Sequence, residues 1–246
     1  MLYMKKRFGT VYGGFYYPSN LPQLTENSII YCVGVGEDIS HDITIAHQLN
    51  SKIYLFDPTP RAIEHVKLVK HVLKTGEIPI YQNKIGGGDK NYWNIIMNNK
   101  IDPLNIIFND FAISYKNDIS KFYFPINENH VSGSLNEHMS NVNTDNYITV
   151  ESKTIVEIME ILKHDHIDLL KIDIEGMECH VVDNILDNKI LPTYLSIDFD
   201  TARCIKNGKQ TVQNTINKLL KYYTIYHNDT YDITFIKNVN HMSKIK

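Results

Sequence analysis

The sequence predicts an α/β fold with a seven-stranded, mostly parallel sheet, and three observations lead to it. From residue 28 onward, short apolar runs alternate with amphipathic stretches, the pattern of βαβ units packed into a parallel sheet. Two of the runs end in a glycine turn or a pair of carboxylates, at the strand edge where such sheets bind ligands. The last two runs flank the turn-forming pair Asn228-Asp229, which predicts an antiparallel hairpin at the carboxyl end.

The elements follow in order. Residues 1–27 are rich in Tyr, Gly and Pro and show no period, so they are expected to be an N-terminal arm pinned by Tyr12, Phe15, Tyr16 and Tyr17. Residues 28–246 are expected to be a single domain, because a chain of 246 residues suffices for one α/β domain and falls short of two. Strand 28–35 leads to a helix over 39–49, then strand 52–56, with Pro60 opening a helix toward residue 73. A strand over 105–113 and a short extra strand over 119–124 come next. After a polar loop, 131–146, the expectation is a strand near 148–150, helix 155–162, strand 168–174, helix 179–186 and strand 194–199. A helix over 212–220 then leads into the hairpin strands 222–226 and 231–236.

Composition removes several function classes. The formal net charge is −3 with both signs interleaved, which leaves no surface to track a phosphate backbone, so no nucleic-acid partner is expected. No apolar run approaches the roughly 20 residues that a bilayer requires, and no signal peptide is apparent, so no membrane association is expected. Cys32, Cys179 and Cys204 form no close-spaced pair and are odd in number, which favours reduced thiols and a cytoplasmic location. Gly86-Gly87-Gly88 reads as a flexible connection, since no Lys-Ser/Thr pair follows to make a phosphate loop.

Three strand ends carry the chemistry. The first is Val33-Gly34-Val35-Gly36-Glu37-Asp38, where Gly34 and Gly36 let a ligand approach the backbone without an intervening Cβ. A dinucleotide fingerprint would need a third glycine where Ile39 stands, and a helix N-terminus free to face a pyrophosphate. Glu37 and Asp38 occupy that place, and two carboxylates repel a diphosphate but favour a cationic ligand. The second is Phe56-Asp57-Pro58-Thr59-Pro60. An acidic residue about 20 positions after the glycine turn is placed to accept hydrogen bonds from ribose hydroxyls, and a helix cap before Pro60 is compatible with that role.

The third strand end is Lys171-Ile172-Asp173-Ile174-Glu175-Gly176. Carboxylates two apart on a strand share a face, so Asp173 and Glu175 meet at the carboxyl edge of the sheet. They are the candidates for a general base, and Lys171 is placed to orient the pair or lower a carboxylate pKa. Asp198-Phe199-Asp200 closes the neighbouring strand. With Asp173 it offers hard oxygen ligands for a divalent cation, although ordinary strand-end acids explain it as well, so no metal ligand is assigned. His164 and His166 are too loosely framed for a metal site, and His130 reads as a loop histidine.

The run from Ile167 to Glu178 resembles the signature of FkbM-type methyltransferases, a Lys-Ile-Asp-x-Glu-Gly stretch followed by a helix. Phe56-Asp57-Pro58-Thr59-Pro60 is similar to that family's acidic-Pro-x-Pro turn, and Asn109-Asp110-Phe111-Ala112-Ile113-Ser114 resembles its adenine-side strand. Phe122-Tyr123-Phe124-Pro125 and Ser132-Gly133-Ser134-Leu135 resemble the segment that follows. The chain departs from the family at Cys32, where an acidic residue is usual, and in the spacing of its glycine turn.

The resemblance implies a class I methyltransferase, Rossmann-like fold and S-adenosyl-L-methionine as cofactor. It places cofactor contacts at Gly34, Gly36, Asp57, Asp110 and Ala112. It also implies O-methylation of a hydroxyl on a sugar, a glycan or another small molecule. Three other functions fit parts of the pattern: a nicotinamide-dependent oxidoreductase, a glycosyltransferase using Asp198-Phe199-Asp200, and a non-catalytic descendant that binds a partner.

Overall fold

In the computed structural model, residues 4–78 and 91–238 are described, and the chain divides into two compact units, Met1–Asp110 and Phe111–Lys246. The fold is α/β. The main sheet has seven strands, mostly parallel, and ends in the C-terminal antiparallel hairpin. Gly86-Gly87-Gly88 lies outside the described residues.

The first unit begins with strands β1 (Lys5–Phe8) and β2 (Phe15–Pro18), an antiparallel pair with Phe8 opposite Phe15. Sequence reading gave this stretch no regular element. Phe8, Phe15 and Tyr17 are buried, with the Phe8 and Tyr17 rings edge to face at 5.7 Å. The unit continues through β3 (Ile30–Val33), α1 (Ser40–Leu49), β4 (Ile53–Phe56), α2 (Pro60–Thr75), α3 (Tyr92–Asn98) and β5 (Ile106–Asn109). Its three sheet strands run parallel in the order β3-β4-β5. All four residues of β3 are buried, as a parallel strand covered on both faces requires.

The ends of these helices follow from the sequence. Thr59 caps α2 by accepting a hydrogen bond from the Ala62 amide, Pro60 occupies the first turn, and Gly76 closes the helix at φ 77°. Helix α1 ends on Asn50 in the left-handed conformation. The helix α3 was not foreseen. It packs through Tyr92, whose hydroxyl lies 2.6 Å from Nε2 of His65 on α2, and burial pushes the His65 pKa down to about 4.

The second unit opens with a small three-stranded sheet, β6 (Ala112–Ile113), β7 (Asp118–Pro125) and β8 (Val142–Lys153), in the order β6-β8-β7. The strand predicted over 105–113 is therefore two strands, β5 and β6, in different sheets. The strand expected near 148–150 is the middle of a twelve-residue strand. There follow α4 (Ile155–Leu162), β9 (Leu169–Ile172), α5 (Glu178–Asp187), β10 (Tyr194–Asp198), α6 (Thr201–Cys204), α7 (Gly208–Leu219), β11 (Tyr223–Asp229) and β12 (Asp232–Lys237).

The second unit's share of the main sheet has the order β11-β12-β10-β9. Strands β9 and β10 are parallel, while β12 is antiparallel to both β10 and β11. The hairpin turns at Thr230-Tyr231, two residues beyond the predicted Asn228-Asp229, with Thr230 at φ 62°. Among the described residues no helix is long and apolar enough to cross a membrane, and none of the three cysteines is in a disulfide.

Candidate active site

In the first unit the glycine turn follows β3 directly. Gly34 and Gly36 have φ of 78° and 52°, the left-handed region that a Cβ disfavours. The turn is held by Asp57, at the end of β4. Its Oδ2 accepts hydrogen bonds from the amides of Val35 and Gly36, both at 2.9 Å. Its Oδ1 accepts from the Thr59 amide at 2.9 Å and the Thr59 hydroxyl at 2.6 Å. Four donors match the roughly four lone-pair positions of a carboxylate, so Asp57 acts here as the clasp of the turn.

The two acids after the turn are engaged within the fold. Glu37 receives Arg61 through both oxygens, at 2.9 and 2.8 Å. Asp38, buried, accepts from the Ser40 amide at the start of α1 and from the Thr10 hydroxyl. The charge that the sequence placed there to favour a cation is thus matched by Arg61 and by a helix terminus. Asp110 is exposed after β5, whereas Ala112 is buried in β6, opposite Ser152.

In the second unit β9 delivers the acidic motif. Lys171, buried, lies 3.5 Å from the Asp173 carboxylate, which is 31% exposed. Glu175 sits at φ 51° and Gly176 at φ 98°, and a Cβ on Gly176 would collide with the Met139 sulfur. The motif's backbone is held from the loop after β7. The Ser134 hydroxyl donates to the Glu175 carbonyl at 2.5 Å, and the Asn136 amide side chain donates to the Gly176 carbonyl at 3.3 Å. From α5, Glu178 accepts the Gly176 amide at 2.5 Å and the Thr201 hydroxyl at 2.6 Å.

The acids of this unit converge. Ligand atoms of Asp173, Glu175 and Asp200 all lie within 4.8 Å of one another. Arg203 pairs with Asp198 and donates through Nε to Asp200 Oδ1 at 2.8 Å. Burial, reinforced by the Asp173 charge, raises the Glu175 pKa; a Ser132 hydrogen bond works the other way. Burial and then the mutual charges of Asp198, Glu175 and Asp173 raise Asp200. Burial works against the charge on Arg203, but Asp198 and Asp200 hold it cationic.

Sequence reasoning singled out Asp173, Glu175, Lys171, Asp198 and Asp200 and missed Arg203, Glu178 and Asn136. The signal for Arg203 was its position three residues after Asp200, one turn along a helix. Beside the motif lies a cavity of about 470 Å³ whose lining includes Tyr115, Tyr123, Asn136, Glu137, Met177 and His180.

Residues 17–200 match the family model described as the methyltransferase FkbM domain. No curated protein matches the chain significantly.

Proposed function

From the chain's membership of the FkbM methyltransferase family, we propose that it transfers the methyl group of S-adenosyl-L-methionine to a hydroxyl oxygen of a sugar, a glycan or another small molecule. The observation that carries this reading is the arrangement at the end of β9, where Asp173 and Glu175 stand together with Lys171 beside them. Attack by a hydroxyl requires a group to take its proton, and a positioned carboxylate pair is suited to that task.

The residues of the first unit fit the proposed cofactor. Gly34 and Gly36 leave the turn open to close approach, with no Cβ. A ribose hydroxyl can take the place of the Thr59 hydroxyl on Asp57 Oδ1. Thr59 Oγ1 also accepts from the Ala62 amide, so it keeps its capping role when it ceases to donate. When bound, the cofactor supplies an electrophilic methyl group. Asp57 and the glycine turn hold its sugar, and Asp110 is assigned to its adenine side.

A sugar acceptor is favoured by the cavity beside Met177, which mixes tyrosine rings with Asn136, Glu137 and His180. We assign residues 28–246 to one methyltransferase domain carrying residues 1–27 as an arm. Isothermal titration tests the reading: S-adenosyl-L-methionine and its demethylated product should each bind once per chain. No heat at millimolar cofactor would end it.

A further inference from the structure

We infer that Asp173, Glu175 and Asp200 form a binding site for one hard divalent cation within the second unit. Their ligand atoms lie within 4.8 Å of one another. An ion with oxygen ligands at about 2.3–2.6 Å separates opposite ligands by about 5 Å, so three carboxylate oxygens at this spacing can share a single ion.

A second observation points at the same place. Asp200 is 6% exposed; Arg203 occupies its Oδ1, while its Oδ2 is buried and has no hydrogen-bond partner. A carboxylate oxygen taken out of water without a partner is costly, and a cation coordinated there removes that cost.

The charges agree. Asp173, Glu175, Asp198 and Asp200, with Glu178 acting on Glu175 and Asp232 on Asp198, face the cations Lys171 and Arg203. The acids outnumber the cations, and a dication bound among them would offset part of that excess of negative charge. Donors made only of carboxylate oxygen suit magnesium, manganese or calcium. Bound there, the ion would lower the pKa of a coordinated hydroxyl.

The site shares Asp173 and Glu175 with the methyl-transfer reading but does not depend on it. The full chain, stripped with a chelator, is titrated calorimetrically with magnesium, manganese and calcium chloride, and with S-adenosyl-L-methionine in a separate run. One equivalent of at least one ion should bind with a dissociation constant below millimolar and raise the melting temperature. Asp200→Asn, checked for folding by circular dichroism, should weaken that binding at least about tenfold. Absence of heat and of thermal shift with all three ions at millimolar concentration overturns the site, as does undiminished binding by a folded Asp200→Asn variant. Ion binding without cofactor binding would sink the methyl-transfer reading alone, and the converse would sink only the metal site.

Discussion

Asp57 carries two demands on one carboxylate. It organises the turn through the amides of Val35 and Gly36, and in the proposed reaction it meets the ribose. Asn at this position has one acceptor oxygen and turns two donors toward groups that themselves donate. Asp57→Asn should therefore lower stability by about 1–3 kcal/mol in urea unfolding and weaken cofactor binding in the same preparation. Unchanged stability would show that the clasp is dispensable. Asp173 and Glu175 differ in kind, because among the described residues no backbone amide donates to their carboxylates. Asp173→Asn and Glu175→Gln should leave cofactor affinity within about twofold and reduce single-turnover methyl transfer by roughly 10²–10⁴. Loss of cofactor binding in both would show that the pair supports the fold instead. The carboxylates were legible in the sequence because acids at the ends of apolar runs stand out. Their partners were less so. Arg203 stood one turn after Asp200, but Glu178 and Asn136 act on the motif from separate segments, and no local pattern marks a side chain that reaches across the fold.

At the scale of elements, the pairing of α2 with α3 makes a pH-dependent joint. His65 is held neutral in the folded chain at about 4, against an ordinary value of 6.5. Between these values the unfolded chain takes up the proton and the folded one does not. The contribution is therefore complete above about 6.5 and is lost as the pH falls toward 4, amounting to about 3 kcal/mol at most. Melting temperature from pH 7 to 4.5 should fall more steeply for the wild type than for His65→Gln, which retains a hydrogen-bonding group but has no titration there. Parallel curves would refute the assignment. The parallel strands were readable because strands buried on both faces are nearly continuous apolar runs, and α2 because Thr59 and Pro60 announce its start. The β1–β2 pair was hidden by its length of four residues a strand and by charged Lys5, Lys6 and Arg7. Helix α3 has no side-chain cap to mark its start. The break after β5 falls where the polar pair Asn109-Asp110 interrupts the apolar run, a signal that one continuous strand over 105–113 passed over.

Across the whole molecule, the family match runs through the boundary between the two units and stops at residue 200. Helix α7 and the final hairpin lie beyond it, and there turn chemistry alone was the guide: it found the hairpin and set the reversal two residues too early. The register of that hairpin slips between Ile225 and His227, placing an extra residue, Tyr226, in β11. Among the described residues β11 is the outermost strand on its side of the sheet, so its outward amides and carbonyls offer a template to other chains. The bulge bends that template out of line. Deleting Tyr226 should straighten it, and light scattering on concentrated protein should then report growing particles where the parent chain stays monodisperse. One surplus residue in the hem of the sheet would thus keep neighbouring copies from stitching themselves together.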